Sequence, residues 1–114
     1  MYIVFMSETK LSSDLLRGHT DTMVLKLLNE GDKYGYEISK LITEKSRGAY
    51  QLNEATMYSC LKRLEREACI KSYWGDETNG GRRKYYSITR HGQDLYVQNK
   101  ENWENAKTIL SKLL

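Results

Sequence analysis

A basic helix pattern followed directly by a hairpin pattern is the feature that most limits the folds open to this chain. Residues 53–89 contain the helix first and then two alternating stretches on either side of a glycine-rich tip. The tip and its return strand have the sequence Asn79-Gly80-Gly81-Arg82-Arg83-Lys84-Tyr85-Tyr86. Such a helix fits the groove of a duplex and such a loop binds phosphate, so the segment predicts a polyanion-binding surface.

Positive charge is concentrated in the same segment. Between Asn53 and His91 there are eight basic and five acidic residues, a surplus of three. The formal net charge of the whole chain is +3, so the remaining residues are neutral in sum. Charge of one sign confined to one region is typical of a nucleic-acid-binding surface.

Length and composition predict one compact domain. A chain of 114 residues buries a single modest core, and small domains often complete the burial of apolar surface by pairing. No apolar stretch reaches the roughly 20 residues that a membrane span needs. Met1 to Met6 are apolar but lack the basic flank of a signal peptide, so we expect a cytoplasmic protein without membrane partners. We interpret residues 1–10 as a flexible extension; a strand packed on the body is the alternative.

The cysteines and histidines do not suggest a metal or a cofactor. Cys60 and Cys69 are nine residues apart, which matches no zinc or redox pattern, and both fall where a helix would bury them. His19 and His91 have no carboxylate or cysteine at a ligand spacing. We expect packing roles for the cysteines, and no metal.

Two helices are predicted before the basic segment. The first begins near Ser12 or Ser13 and stops at Gly31, and its broad apolar side must face more than one neighbour. The second runs from about Tyr34 to Ser46, with Gly48 beyond its end.

The third helix has two different sides. Asn53 is a suitable N-cap, and one side carries the apolar residues Met57, Leu61, Leu64 and Ala68. The opposite side carries small, hydroxylated and basic residues: Ala55, Thr56, Ser59, Lys62, Arg63 and Arg66. Such side chains approach base edges closely and donate to bases or phosphates. The alternative is the ordinary polar face of an amphipathic helix.

The hairpin that follows predicts a wing. Ile70, Ser72 and Trp74 alternate with polar or aromatic neighbours, and the alternation resumes through Lys84, Tyr86 and Ile88. Gly80 and Gly81 permit the φ > 0 conformations of a tip, while Arg82, Arg83 and Lys84 reach the backbone or minor groove of a duplex. Three further side chains either donate to phosphate or fill gaps between helices: Tyr34, Tyr36 and Tyr58.

A long last helix predicts dimerisation. Thr89 caps it, and it extends to Leu114. Two interleaved sets with heptad spacing form an a/d seam: Tyr96, Trp103 and Leu110, and Asn99, Ala106 and Leu113. One small domain cannot cover this seam, so we expect a homodimer whose two-fold axis suits palindromic DNA. Asn99 either fixes the register of the seam or lines a wet gap.

Four motifs together resemble the PadR family of bacterial winged-helix transcriptional regulators, over about residues 11 to 95. They are Tyr34-Gly35-Tyr36-Glu37-Ile38, Ala55-Thr56-Met57-Tyr58, Leu61-Lys62-Arg63-Leu64-Glu65 and Gly80-Gly81-Arg82-Arg83-Lys84-Tyr85-Tyr86-Ser87-Ile88-Thr89 with Gly92. The single closing helix is similar to the short subfamily. Within it, three features are similar to the multidrug-binding repressors of lactococcal type: the run Leu52-Asn53-Glu54-Ala55-Thr56, the segment from Ser72 to Glu77, and Trp103.

The resemblance implies a dimeric repressor that binds an inverted-repeat operator. It also implies a flat cavity at the dimer centre, where two symmetry-related copies of Trp103 hold a planar aromatic compound. The ligand-binding residues expected here are Trp103, Leu15, His19, Asn99 and Lys107. Two departures from the family are Ala68, where most relatives have glycine, and lysines near Trp103 that favour anionic or neutral ligands. The alternative for Trp103 is packing within the dimer core.

The fold class expected is mainly α, a winged helix-turn-helix with three helices, a two-stranded β-wing and a long C-terminal dimerisation helix. Residues 11–88 form the DNA-binding domain and residues 89–114 the dimerisation helix. The DNA-binding residues expected are Asn53, Ala55, Thr56, Tyr58, Ser59, Lys62, Arg63, Arg66, Gly80, Gly81, Arg82, Arg83 and Lys84. The rival hypothesis is a protein-interaction winged helix that ignores DNA sequence. An enzyme is not expected, because no nucleophile–base pair or phosphate-cradling loop is visible.

Overall fold

The computed structural model of the protein describes residues 13–76 and 81–114. Five helices and three strands follow one another in these parts of the chain: α1 (Ser13–Arg17), α2 (Thr20–Asn29), β1 (Lys33–Tyr34), α3 (Gly35–Lys45), α4 (Glu54–Arg66), β2 (Ile70–Asp76), β3 (Arg82–Ile88) and α5 (Arg90–Leu113). The expectations for residues 1–10 and for Gly80 lie outside the described residues. The mainly helical winged-helix fold is confirmed.

The core lies where α2, α3 and α4 meet the sheet. Val24, Leu25, Ile38 and Leu64 are completely buried, and Ile70 is 1% exposed. These positions recur at three- and four-residue spacing along the helices, which gives each helix one apolar side. Burial of these sides fixes the orientation of α4, whose remaining surface faces outward.

The sheet has one strand more than the sequence pattern predicts. Its order is β1-β3-β2, with both pairings antiparallel. In the additional pairing, Lys33 lies opposite Tyr86 and Tyr34 opposite Tyr85. A strand of two residues is too short to show an alternating pattern, so the sequence gives no signal for it. Its effect is to attach the base of the wing to the start of α3.

The predicted first helix is in fact two helices, which corrects that expectation. The chain turns at Gly18 and His19, where the His19 N–H donates to the Leu16 carbonyl at 2.9 Å. Glycine has a low helix propensity, and the turn brings the buried Thr20 hydroxyl to 3.2 Å from the Tyr50 hydroxyl. The break therefore lets α1 and α2 cover different parts of the body.

Two predicted caps are present. The Asn53 Oδ1 accepts a hydrogen bond from the Thr56 N–H at 2.8 Å, and the Thr89 Oγ1 accepts one from the Gly92 N–H at 3.0 Å. Gly92 is required at its position, because an added Cβ would lie 2.1 Å from the Cys69 carbonyl oxygen. The start of α5 is thereby held close to the end of α4.

Ala68 is not part of the core side of α4, which corrects another expectation. It lies beyond the helix end, exposed, with a φ of 63° in the left-handed region. The Cys69 N–H donates to the Leu64 carbonyl and the Ala68 N–H to the Glu65 carbonyl, a Schellman arrangement. This ending normally uses glycine because a Cβ is strained there, so Ala68 adopts a conformation that favours glycine, at a cost in stability.

None of the helices in the described parts of the chain is both long enough and apolar enough to cross a membrane. The longest, α5, begins against α2 and β3, and its residues beyond Ala106 are exposed in the single chain.

The left-handed backbone predicts that Ala68→Gly stabilises the protein. Removing the strained Cβ should raise the free energy of unfolding by about 1 kcal/mol, measured by urea denaturation. Ala55→Gly is the matched control, because Ala55 is exposed but helical, and should lower stability by about 0.5 kcal/mol. If the Ala68→Gly protein is no more stable than the wild type, the backbone at Ala68 is not strained.

Candidate nucleic-acid interface and adjoining cavity

The outward side of α4 carries the residues that the sequence predicts for base reading. Thr56 and Arg63 are half-buried at its edge, and the other members are exposed: Asn53, Ala55, Tyr58, Ser59, Lys62 and Arg66. The side chains nearest the helix N-terminus are small, so the backbone of α4 can approach a base pair closely. Further along the helix, Lys62 and Arg66 supply positive charge.

Arg63 is held toward α2 by an ion pair. Its Nη2 contacts the Asp21 Oδ1, and the Cys60 thiol donates to the same oxygen at 3.1 Å. Burial, together with the Asp21 carboxylate, raises the pKa of Cys60, so its thiol stays protonated. The assignment of Arg63 as a phosphate contact stays a prediction, because its guanidinium already bridges two helices. Cys69 is also buried and free, as expected for a packing role.

The three tyrosines singled out by the sequence have different surroundings. The Tyr34 ring packs edge-on against Tyr85 with centroids 5.6 Å apart. Tyr36 is 63% exposed on α3. The Tyr58 hydroxyl lies over Gly35 so closely that a Cβ there would be 2.6 Å from it. Tyr58 therefore joins α4 to the first turn of α3, while its ring remains partly exposed beside the reading side.

The wing presents its basic residues on both of its faces. Gly81, Arg82, Arg83 and Lys84 are all exposed. The Arg82 guanidinium lies 5.3 Å from the Trp74 ring on one face, and the Arg83 guanidinium lies 4.4 Å from the Tyr34 ring on the other. Aromatic neighbours thus limit the positions of both guanidiniums.

A surface depression of about 330 Å³ separates α4 from the junction of α1 and α2. It is lined by Arg17, Thr20, Ala55, Thr56, Ser59, Cys60 and Arg63. Sequence reasoning missed Arg17, because it belongs to no motif and α1 had not been separated from α2. Its position extends the basic surface beyond α4.

A larger, mostly apolar cavity of about 670 Å³ opens between α1, α2 and α5. It is lined by Leu15, Leu16, His19, Thr22, Met23, Lys26, Tyr96, Lys100, Trp103, Glu104 and Leu110. The His19 ring meets the Trp103 ring edge-on, with centroids 5.1 Å apart. Trp103 is 42% exposed, so a face of the indole remains accessible.

Three of the five predicted ligand residues line this cavity: Leu15, His19 and Trp103. Asn99 and Lys107 do not line it; the Lys107 Nζ lies 6.0 Å from the Trp103 ring and pairs with Glu104 at 3.0 Å. The additional lining residues on α2 and α5 repeat at three- and four-residue spacing from His19 and Trp103. Helical periodicity in the sequence could therefore have indicated most of these additional lining residues.

Comparisons with known proteins agree with the fold. Residues 24–98 match the model of the transcriptional regulator PadR-like family. The chain belongs to the PadR-like family of transcriptional regulators. This PadR-like protein is therefore a DNA-binding transcriptional regulator with a winged-helix fold.

Individual relatives are similar over nearly their whole length. A transcriptional regulator from Clostridium thermocellum is 50% identical, with a TM-score of 0.83 over 90% of this chain and 96% of the other. A PadR family transcription regulator from Clostridium difficile is 37% identical, with a TM-score of 0.74 over 84% of this chain and 98% of that one. A Lysinibacillus sphaericus protein, named as uncharacterized protein X, is 42% identical over 86% of this chain and 90% of its own.

Proposed function

We propose that this PadR-like regulator is a repressor that binds an inverted-repeat operator as a homodimer and is released by a planar aromatic ligand. The observation that carries the proposal is an exposed helix side of small, hydroxylated and basic residues beside a basic wing. That pairing matches what duplex recognition requires, a reading helix for the major groove and cations for the adjacent backbone. No enzymatic activity is proposed, because regulators of this family are generally not enzymes.

The proposed reading residues are divided by chemistry. Ala55, Thr56, Ser59 and Lys62 face bases, since their side chains are short or reach a base edge. Arg66, Arg82, Arg83 and Lys84 face phosphates. Asn53 caps the helix N-terminus and Tyr58 lies one turn further along. The wing lies alongside α4 through a hydrogen bond from the Ser72 hydroxyl to the Glu65 carboxylate at 2.6 Å. This contact supports simultaneous use of helix and wing.

A second copy of the chain is proposed to cover the apolar side of α5. Leu110 and Leu113 are 48% and 75% exposed, and Leu15 on α1 is 62% exposed. Exposed leucines at heptad spacing are unfavourable in water, and an isologous pairing would bury them. Two reading helices related by a two-fold axis would then meet major grooves about 34 Å apart, one DNA turn.

The ligand is proposed to bind in the cavity beside Trp103. The indole offers an accessible π-face in a mostly apolar space, which suits stacking of a flat ring system. Lys26 and Lys100 also line the cavity, although Lys26 pairs with Glu30 at 2.5 Å. These lysines favour an anionic or neutral aromatic compound over a cationic one. The alternative is that the two indoles fill the dimer core against Tyr96, Leu15 and Thr22.

The wing assignment predicts a smaller salt dependence of DNA binding when its arginines are removed. Each phosphate neutralised contributes about −0.9 to the slope of log K against log salt concentration. Arg82→Ala with Arg83→Ala should flatten the slope and weaken all duplexes alike, whereas Thr56→Ala or Ser59→Ala should change the preference among sequences. An unchanged slope in the wing variant would reject the assignment, and indifference of the wild type to sequence would favour the protein-interaction alternative.

The dimer proposal predicts that charge on the seam of α5 separates the protomers. Leu110→Glu should shift the protein from dimer to monomer in sedimentation equilibrium and weaken operator binding by at least about tenfold, since half of the contacts are lost. Val97→Glu is the matched control, because Val97 is 53% exposed on the opposite side of α5. If the protein still dimerises with Leu110→Glu but not with Val97→Glu, the interface lies on the Val97 side of α5 and the proposal is wrong.

The ligand proposal predicts quenching of tryptophan fluorescence by a planar anionic compound. Ferulate should quench the wild type more than Trp103→Ala, in which Trp74 remains as the other tryptophan, and should lower operator affinity. Proflavine, a planar cation, tests the charge preference and should bind less tightly than ferulate. Equal quenching in wild type and variant with every such compound would make Trp103 a packing residue.

A further inference from the structure

Trp74 is an exposed tryptophan that the assignments above leave without a role. It lies in β2 and is 58% exposed. Lys84 lies directly across from it in β3, and the Arg82 guanidinium lies 5.3 Å from its ring. An exposed indole with a guanidinium beside its ring and a lysine on the neighbouring strand suggests an occupant that is both anionic and partly apolar.

The opposite face of the wing is already filled. The Tyr73 and Tyr85 rings stack with centroids 5.7 Å apart, and the Tyr34 ring packs edge-on against Tyr85. The Tyr73 hydroxyl donates to the Asp32 carboxylate at 2.6 Å, which ties the stack to the loop after α2. Gly75 leaves room for the Tyr85 ring, because a Cβ there would lie 2.6 Å from it. These contacts hold the wing at one angle to the body.

The face that carries Trp74 is the one that packs against α4. Strand side chains alternate, so Trp74 shares a face with Ser72, whose hydroxyl donates to Glu65 of α4. On β3 the same face continues from the buried Tyr86 to Lys84, one pair further out. Trp74 therefore lies just beyond the core edge, on the α4 side of the wing. A duplex held by α4 and the wing would cover this face.

We propose that Trp74 is a DNA-contacting residue that packs its indole on a deoxyribose and donates its Nε1–H to the neighbouring phosphate. The inference rests on the proposed function and adds a residue to it. Duplex backbone fits the surroundings because deoxyribose is apolar, phosphate is anionic, the Arg82 guanidinium lies beside the ring, and Lys84 is on the same face of the wing. Sugar and phosphate carry no base identity, so Trp74 contributes affinity and wing placement without sequence preference.

The test compares Trp74 variants on two duplexes, the region upstream of the protein's own gene and poly(dA-dT). Trp74→Ala should weaken binding to both by about tenfold, as truncation of a buried interface tryptophan does, with the salt slope unchanged because no charge is removed. Trp74→Phe keeps an aromatic ring but loses the indole N–H, and it should weaken binding to both duplexes by about threefold. Val97→Ala is the control: it truncates an exposed apolar side chain on α5, away from the wing, and should leave both affinities unchanged.

Fluorescence separates direct contact from indirect loss of structure. In a Trp103→Phe background Trp74 is the one remaining tryptophan, and its emission should change on addition of either duplex, with a midpoint at the affinity measured independently. Binding by Trp74→Ala equal to wild type, or emission unaffected by saturating DNA, would overturn the inference while leaving the DNA-binding function intact. Failure of the wild type to bind either duplex would instead overturn the function itself.

Discussion

The position of α2 at the centre of the molecule is the constraint on which the rest of the structure depends. This ten-residue helix contacts α3, α4, α5 and β3, and its Val24 and Leu25 are fully buried. One side holds Asp21, whose carboxylate accepts from both Arg63 and Cys60 of α4. The other side supplies Thr22, Met23 and Lys26 to the cavity beside Trp103. Because all these residues share one rigid helix, a shift of α2 at the cavity must also move the support of α4.

The length of α5 is the second constraint, and it connects the fold to the proposed assembly. A helix of 24 residues is about 36 Å long, and its residues beyond Ala106 are exposed in the single chain. Its start is fixed by Thr89 and Gly92 against the end of α4, so its direction relative to α4 is set there. The proposed pairing of α5 with a second copy would therefore also set the separation of the two reading helices.

Local sequence signals predicted much of this fold. Asn53 and Thr89 were identified as caps because their side chains accept backbone N–H groups, and the wing strands followed from residue alternation. Local signals failed where a tertiary contact decided the conformation. The two-residue β1 exists through its pairing with β3, the break at Gly18 brings Thr20 to Tyr50, and Ala68 takes a conformation that its side chain disfavours. Trp103 and His19 line a cavity of the single chain, whereas Asn99 and Lys107 lie outside its lining, and the ligand-binding role of these residues stays a prediction. The Arg63 ion pair with Asp21 joins residues 42 positions apart, and no pattern in the sequence indicates it.

The central claim is that two copies of this PadR-like regulator read one duplex through α4 and the wing. Selection of binding sites from a pool of random duplexes, followed by sequencing, tests it most directly. The account predicts enrichment of an inverted repeat whose half-sites are centred about one DNA turn apart, with the wild-type preference altered by Thr56→Ala. A pool that remains random after repeated rounds, or a single unrepeated half-site, would contradict the claim.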